Sequence, residues 1–311
     1  MKHNNILLFL LIAIAFPACE ETFSKDIIID VPKQTKKLVI ESITPPGGLA
    51  YAYVTKSVDI LDPINSNPFS QAFVTLYQNN TIKDTLVYNT ATELYIPKNF
   101  TQLFPNNNYT IKASANGFTA VEASMDVPLP VPIQTMSYRP RFRTDANGQE
   151  RDEIRFGFQD PTGAANFYMV KLQVPTGISG GTPTYLYATC LYTLDPDAET
   201  GLSGVGNSYD DCIEDDFVMK DIRFDGRLKE VTLQVKSDIM RTITNPANGA
   251  VFRPRIELRA ITGDHYRYYK SKKVYEDAED NPFAEPVSIY SNVKNGHGIF
   301  AAYTTSYKEV L

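Results

Sequence analysis

From Lys37 onward the apolar residues recur with a period of two, and this alternation restricts the chain to sheets that bury one face. KLVIES (37–42), AYAYVTKS (50–57), AFVTLYQ (72–78) and DTLVYN (84–89) are short, β-branched or aromatic, and separated by Pro, Gly and Asn clusters such as TPPGG and NNT. FYMVKLQV (167–174), TYLYATCLYTL (184–194), KEVTLQVKS (229–237) and FRPRIELRAIT (252–262) continue the pattern. SYRPRFRTDANGQERDEIRFGFQ reads as a hairpin whose turn carries Asn147-Gly148 as a positive-φ pair. One segment departs from period two. Asp264 to Asp280 reads as a helix capped by Asp264, with Tyr268, Val274 and Tyr275 on one face and Asn281-Pro282 ending it. The tail from Pro286 to Ser306 reads as two strands across a bend at Gly296 and Gly298. With 43% hydrophobic and 21% charged residues, 311 residues suffice for one large or two ordinary folded domains. The 30 Lys+Arg against 36 Asp+Glu leave a formal charge of −6, the wrong sign for a nucleic-acid binder.

Within LFPNNNYTIKASANGF (103–118), the spacing L-x-P-x-x-x-Y-x-I-x-A resembles the tyrosine corner of fibronectin type III sandwiches. That resemblance implies that the Tyr109 hydroxyl bonds to nearby backbone and that Ile111 and Ala113 point inward. VPLPVPI (127–133) carries three prolines, which cannot donate to a ladder, so it reads as an extended connector. The expected architecture is all-β. An amino-terminal fibronectin-III or immunoglobulin-like sandwich (37–130) precedes a second β-rich domain (131–311) with one helix near the carboxy terminus.

Residues 1–18 read as a secretory signal peptide: Lys2 precedes an unbroken apolar run from Ile6 to Phe16. As a helix that run covers roughly 16 Å, about half of a hydrocarbon core. Ala18-Cys19 resembles a bacterial lipobox, although Phe16 and Pro17 depart from its usual pattern, and implies a diacylglyceryl group on Cys19. The alternative is an ordinary secreted protein with Cys19 in a discarded or free end. Residues 19–36 then form a tether, and Glu20 and Glu21 resemble the surface-export signal of Bacteroidota lipoproteins. Cys190 and Cys212 remain as an even pair in an oxidising compartment, where a disulfide would contribute ~3 kcal/mol by closing the loop. Two unpaired buried thiols are the other reading.

Chemistry is sparsely encoded. Gly177-Ile178-Ser179-Gly180-Gly181 matches G-x-S-x-G, but a strand rather than a helix follows, and neither His265 nor His297 has a distinctive context. Asp195, Asp197 and Glu199, with Asp210, Asp211, Glu214, Asp215 and Asp216, offer oxygens for Ca²⁺ but lack the glycine of an EF-hand loop, so 195–216 reads as a solvated acidic loop. Tyr51, Tyr53, Tyr185, Tyr187, Tyr266, Tyr268 and Tyr269 offer a platform for sugar or peptide, or else core and cross-strand pairs. The absence of Trp weighs against a dedicated glycan module. No catalytic residue, metal site or cofactor is expected.

KLVIES, VPLPVPI, FQDPTGAANFYMV (158–170), DIRFDGRLKEVTLQV (221–235), HYRYYKS and EPVSIYSNVKNGHGIFAAY occur in an order that resembles the domain of unknown function 4249 in Bacteroidota lipoproteins. The resemblance implies an all-β outer-membrane lipoprotein, often encoded beside a TonB-dependent transporter, and brings no catalytic residues. The expected function is therefore a non-enzymatic accessory lipoprotein, anchored through Cys19 and facing the cell surface or the periplasm. It would capture or gate the cargo of such a transporter, docking through the carboxy-terminal domain where FDGRL and SNVKNGHG lie. A freestanding surface adhesin or structural envelope module is the alternative.

Overall fold

The computed structural model describes residues 35–59, 67–199, 216–279, 285 and 287–311. The amino-terminal strands are β1 (Leu38–Thr44), β2 (Tyr53–Lys56), β3 (Phe73–Gln78), β4 (Thr81–Asn89), β5 (Leu94–Pro97), β6 (Asn108–Ser114) and β7 (Val121–Asp126). After the proline connector come β8 (Ile133–Thr144), β9 (Glu150–Gln159), β10 (Phe167–Ser179), β11 (Thr182–Tyr187), β12 (Asp216–Lys220) and β13 (Leu228–Lys236). The short β14 (Ile243–Thr244) and β15 (Val251–Phe252) precede β16 (Arg255–Ile261), helix α1 (Gly263–Glu279) and β17 (His297–Glu309). Among the described residues no helix is long and apolar enough to cross a membrane.

Two cores organise these strands. In the first, Leu38, Ile40 and Val54 meet Val74, Leu76, Ile111, Ala113, Val121 and Ala123 of the sheet β5-β4-β3-β6-β7. Tyr109, Ile111 and Ala113 are buried, and the Phe104 N–H donates to the Tyr109 hydroxyl at 3.1 Å, as the corner spacing implies. In the second core, Ile154, Phe156, Phe158, Val231 and Leu233 of the sheet β13-β9-β8 meet Val170, Leu172, Ile256 and Leu258 of the long sheet β11-β10-β16-β17-β1-β2. β12 flanks β10 on the same edge as β11.

Strand β17 belongs to both halves. It pairs antiparallel with β16 and parallel with β1, and its Phe300 and Ala302 lie in the first core. Val127 ends the first core and Val131 begins the second, yet residues 37–130 and 131–311 share one sheet, and Lys36–Leu311 is one compact unit. Gly298, at φ +109°, makes the pairing possible: a Cβ there would overlap the Ile40 carbonyl oxygen.

Four local expectations need correction. Thr262, not Asp264, caps α1: its Oγ1 accepts the His265 N–H at 3.1 Å, while Asp264 accepts from Tyr290 and Asn292 of the returning chain. The face that α1 buries carries His265, Tyr266 and Tyr269, whereas Tyr275 is exposed. Only Gly148 of the Asn147-Gly148 turn has positive φ, because Asp145 Oδ1 accepts both the Asn147 and Gln149 N–H groups and sets the turn itself. Among the described residues the tail holds one strand instead of two. Side chains compete for the backbone before it: Ser271 accepts the Tyr290 N–H, and the Asn292 amide bonds both the N–H and the C=O of Phe300.

Candidate functional site

The long sheet turns one face to the second core and the other outward. Register aligns Phe167, Ile261 and Tyr303 in one outward rung, Lys171, Glu257 and Tyr307 in another, and Gln173, Arg255 and Glu309 in a third. Helix α1 covers the first end of this face, packing Tyr266 and Tyr269 against Phe167, Met169, Ile261 and Tyr303. At the other end Tyr187 and Tyr307 remain 39% and 49% exposed.

That end is a Tyr–Arg lattice. The Arg255 guanidinium lies between the rings of Tyr185 and Tyr307, at 4.0 and 4.2 Å from their centroids, and its Nε donates to Gln173 at 2.7 Å. Arg259 repeats the arrangement over Tyr303 at 4.3 Å, and its Nη2 donates to the Tyr187 hydroxyl at 2.7 Å. Beneath them Glu257, 1% exposed, accepts from Arg259 Nε at 2.7 Å and Gln173 Nε2 at 2.9 Å, so the buried carboxylate is paired. Burial pushes the Tyr303 and Tyr307 phenols above their ordinary pKa, so both stay protonated donors. Each guanidinium–ring contact is worth about 0.5–1 kcal/mol at an exposed site. The larger consequence is preorganisation, because arginine and tyrosine are held in the orientation that a partner would otherwise have to impose.

Of the tyrosines singled out in the sequence, Tyr185 and Tyr187 join this lattice. Tyr266 and Tyr269 lie on the sheet-facing side of α1, and the Tyr51 hydroxyl bonds the Ile43 backbone. Arg255, Arg259, Tyr303 and Tyr307 were missed; their signal was the i, i+4 repetition in RIELR and YTTSY, which only the register turns into one surface. Ser179 ends β10 before a turn with Gly180 at φ +57° and Gly181 at φ +81°, and pairs with Thr182. This is a strand–turn–strand hairpin and not a nucleophile elbow. His265 is buried and His297 is exposed opposite Val39.

The described acidic residues of 195–216 already hold cations and hydroxyls. Lys229 Nζ contacts Asp195 at 2.7 Å and Asp197 at 2.6 Å, Glu199 meets Tyr266 and Lys270, and Asp216 meets Lys171 and Tyr269. Asp210, Asp211, Glu214 and Asp215 lie outside the described residues, as do Cys19 and Cys212. Cys190 is half-buried where the chain leaves β11 for the edge of β13.

A second group went unnoticed in the sequence. Asp160, Asp221 and Asp225 bring carboxylate oxygens within 4.8 Å of one another. Each also holds a loop: Asp160 accepts from Gly226 N at 2.9 Å and Tyr168 Oη at 2.5 Å, Asp221 from Asn166 N at 2.7 Å, and Asp225 from Gly163 N at 2.9 Å. Burial raises the pKa of Asp160. This buckle ties FQDPTG to DIRFDG beside a groove of about 610 Å³ lined by Asp126, Leu129, Ala164, Phe167 and Arg267.

The family described as domain of unknown function (DUF4249) matches residues 24–309. The chain belongs to this family. The DUF4249 match takes in both cores, the Asp160 buckle and every strand of the Tyr–Arg face. No curated protein matches the chain.

Proposed function

We propose that this DUF4249 chain is a non-enzymatic, lipid-anchored protein of the outer membrane that docks on a TonB-dependent transporter and helps capture or gate its cargo. The observation that carries the docking reading is the open Tyr–Arg end of the long sheet, whose residue types dominate protein interfaces. The sequence supports the anchor, since an eleven-residue apolar run leads to Ala18-Cys19. From there a tether to Lys36 spans roughly 20–25 Å at ~5–6 Å × √n. Such a tether holds the folded body near the mouth of a barrel in the same membrane and raises the effective concentration of a weak interface. In this reading the amino-terminal half is a fibronectin-III-like sandwich, for which the Tyr109 hydroxyl contact is the support, and Cys190 pairs with Cys212.

Two measurements test the proposal. Cys19→Ala is expected to move the protein from the detergent phase to the aqueous phase; unchanged partitioning would remove the lipid anchor. Tagged wild-type protein from gently solubilised membranes is expected to bring down a TonB-dependent transporter, and Arg255→Glu with Tyr307→Ala to lose it. Repeated recovery of the lipoprotein alone, with and without crosslinker, would leave the freestanding adhesin in its place.

A further inference from the structure

Three turns meet at one end of the sheet β5-β4-β3-β6-β7: the Asn79-Asn80 turn between β3 and β4, residues 98–107, and the loop 45–49. Backbone bonds fix the grouping. The Asn79 N–H donates to the Asn108 carbonyl at 2.9 Å, the Leu103 N–H to Gly48 at 3.2 Å and the Ala50 N–H to Thr101 at 3.0 Å. Large apolar side chains stand in solvent at this end: Phe100 is 70% exposed, Ile82 64% and Phe104 54%, with Leu49 beside them in the same loops. Single exposed apolar residues need no explanation, but here the backbone is strained and braced to present them. Phe100 has φ +55°, a left-handed conformation that a bulky residue rarely adopts. Both of its neighbours are pinned to the buried Asp84 carboxylate, which accepts from Asn99 N at 3.0 Å, Asn99 Nδ2 at 3.1 Å and Thr101 Oγ1 at 2.7 Å. Phe104 follows the buried Leu103 and donates its own N–H to the Tyr109 hydroxyl at 3.1 Å. The backbone under both rings is therefore set before any partner arrives, which removes an ordering cost from binding. The charges at this end suit an anionic surface. Lys83 follows Ile82, Lys98 precedes Phe100 by two residues, both are exposed, and neither has an ion-pair partner among the described residues. The acids are engaged: Asp84 is buried, and Asp126 accepts from Asn108 Nδ2 at 2.9 Å.

We propose that this loop end binds the surface of an anionic lipid bilayer, with Phe100, Phe104 and Ile82 entering the acyl boundary and Lys83 and Lys98 meeting the headgroups. Apolar turn tips with cations beside them match the division between acyl chains and headgroups, and shallow insertion of the tips leaves the strands in water. The loops belong to the sheet of the first core, whereas the Tyr–Arg face belongs to β11-β10-β16-β17. The test therefore needs neither Cys19 nor a transporter, and its outcome is independent of the docking proposal.

The test uses residues 20–311, the chain without its apolar leader and Cys19, floated with vesicles of phosphatidylcholine alone or with about one third phosphatidylglycerol. The anionic vesicles are expected to carry about tenfold more protein than the neutral ones, and the excess to fall as salt rises. Phe100→Gly with Phe104→Ser is expected to lower partitioning about tenfold or more. Glycine suits the positive φ at position 100, so a retained thermal midpoint is expected alongside the lost affinity. Lys83→Gln with Lys98→Gln is expected to bind neutral and anionic vesicles alike, and keeps the test decisive if the aromatic variant does not fold. Phe73→Ser removes a ring that is 62% exposed at the opposite end of β3, and is expected to partition like wild type. Equal flotation with the two vesicle types, or wild-type partitioning of the folded aromatic variant, would overturn the proposal. Self-association of the wild type that the aromatic variant loses would assign the tips to a second copy of the chain and overturn it as well.

Discussion

Acidification from pH 7 to pH 5 should cost the folded state about 2 kcal/mol through one side chain, His265. The residue sits in the first turn of α1 with 5% of its surface exposed, and its Nδ1 has no hydrogen-bond partner among the described residues. Burial, together with the charges of Arg259 and Lys171, lowers its pKa from 6.5 to about 3. Tyr303, whose ring centre is 6.2 Å away, supplies no counter-charge. Between these two values the unfolded chain binds a proton that the folded chain refuses, so stability is intact above pH 6.5 and falls as the pH drops through 6 and 5. The slope approaches 1.4 kcal/mol per pH unit, and integration from pH 7 to pH 5 yields the figure of about 2 kcal/mol. Urea unfolding of wild type and His265→Gln at both pH values isolates this contribution, because carboxylate titrations are common to both proteins. The wild type is expected to lose about 2 kcal/mol more than the variant. Parallel losses in the two proteins would refute a neutral, buried imidazole.

Gly298→Ala forces a Cβ into the Ile40 carbonyl at φ +109°, and a loss of at least about 3 kcal/mol is expected in urea melts, against about 1 kcal/mol for Gly148→Ala at an open turn. Similar losses at the two positions would remove the close-approach account of the β1–β17 pairing. Lys229→Met leaves Asp195 and Asp197 facing each other without their shared ammonium, and should destabilise by about 3–5 kcal/mol near neutral pH. A loss below about 1 kcal/mol in urea melts would count against the ion cluster. Non-reducing peptide mapping is expected to recover Cys190 joined to Cys212, and two alkylatable thiols would contradict the pairing.

Period-two patterning revealed most of the strands because alternation records burial directly: VTL in β3 and TIKA in β6 place each inward residue in a core. It missed β5 and β12, where four or five residues leave too short a record, and β7, whose small Ala123 and Ser124 weaken the contrast. The bond between Tyr109 and the Phe104 backbone was legible because it is local, spanning five residues. The Tyr–Arg lattice was not, since Tyr185 and Tyr307 meet one guanidinium from strands more than a hundred residues apart in sequence. The helix cap misled for a related reason. Asp264 has the chemistry of a cap, but Tyr290 and Asn292 return from a distance to claim its carboxylate.

The placement of β17 links fold to surface. By pairing with β1 through Gly298 and with β16 along its full length, it makes one sheet whose inward residues serve both cores. The inward neighbours of Arg255 and Arg259 are Ile256, Leu258 and Ala260, all core residues, while the arginines themselves meet only the outer face. Removal of Arg255 takes away two ring contacts and one hydrogen bond to a neutral acceptor but leaves no buried carboxylate behind, because Glu257 keeps Arg259 and Gln173. Arg259 is different: its loss strips Glu257 of its ion pair and is expected to unfold as well as to unbind. The proposed docking is therefore separable from folding at Arg255 and Tyr307 and coupled to it at Arg259. A binding defect in Arg255→Glu with an unchanged melt assigns the lattice to recognition. The same defect accompanied by a lost melt transition would assign it to the sheet.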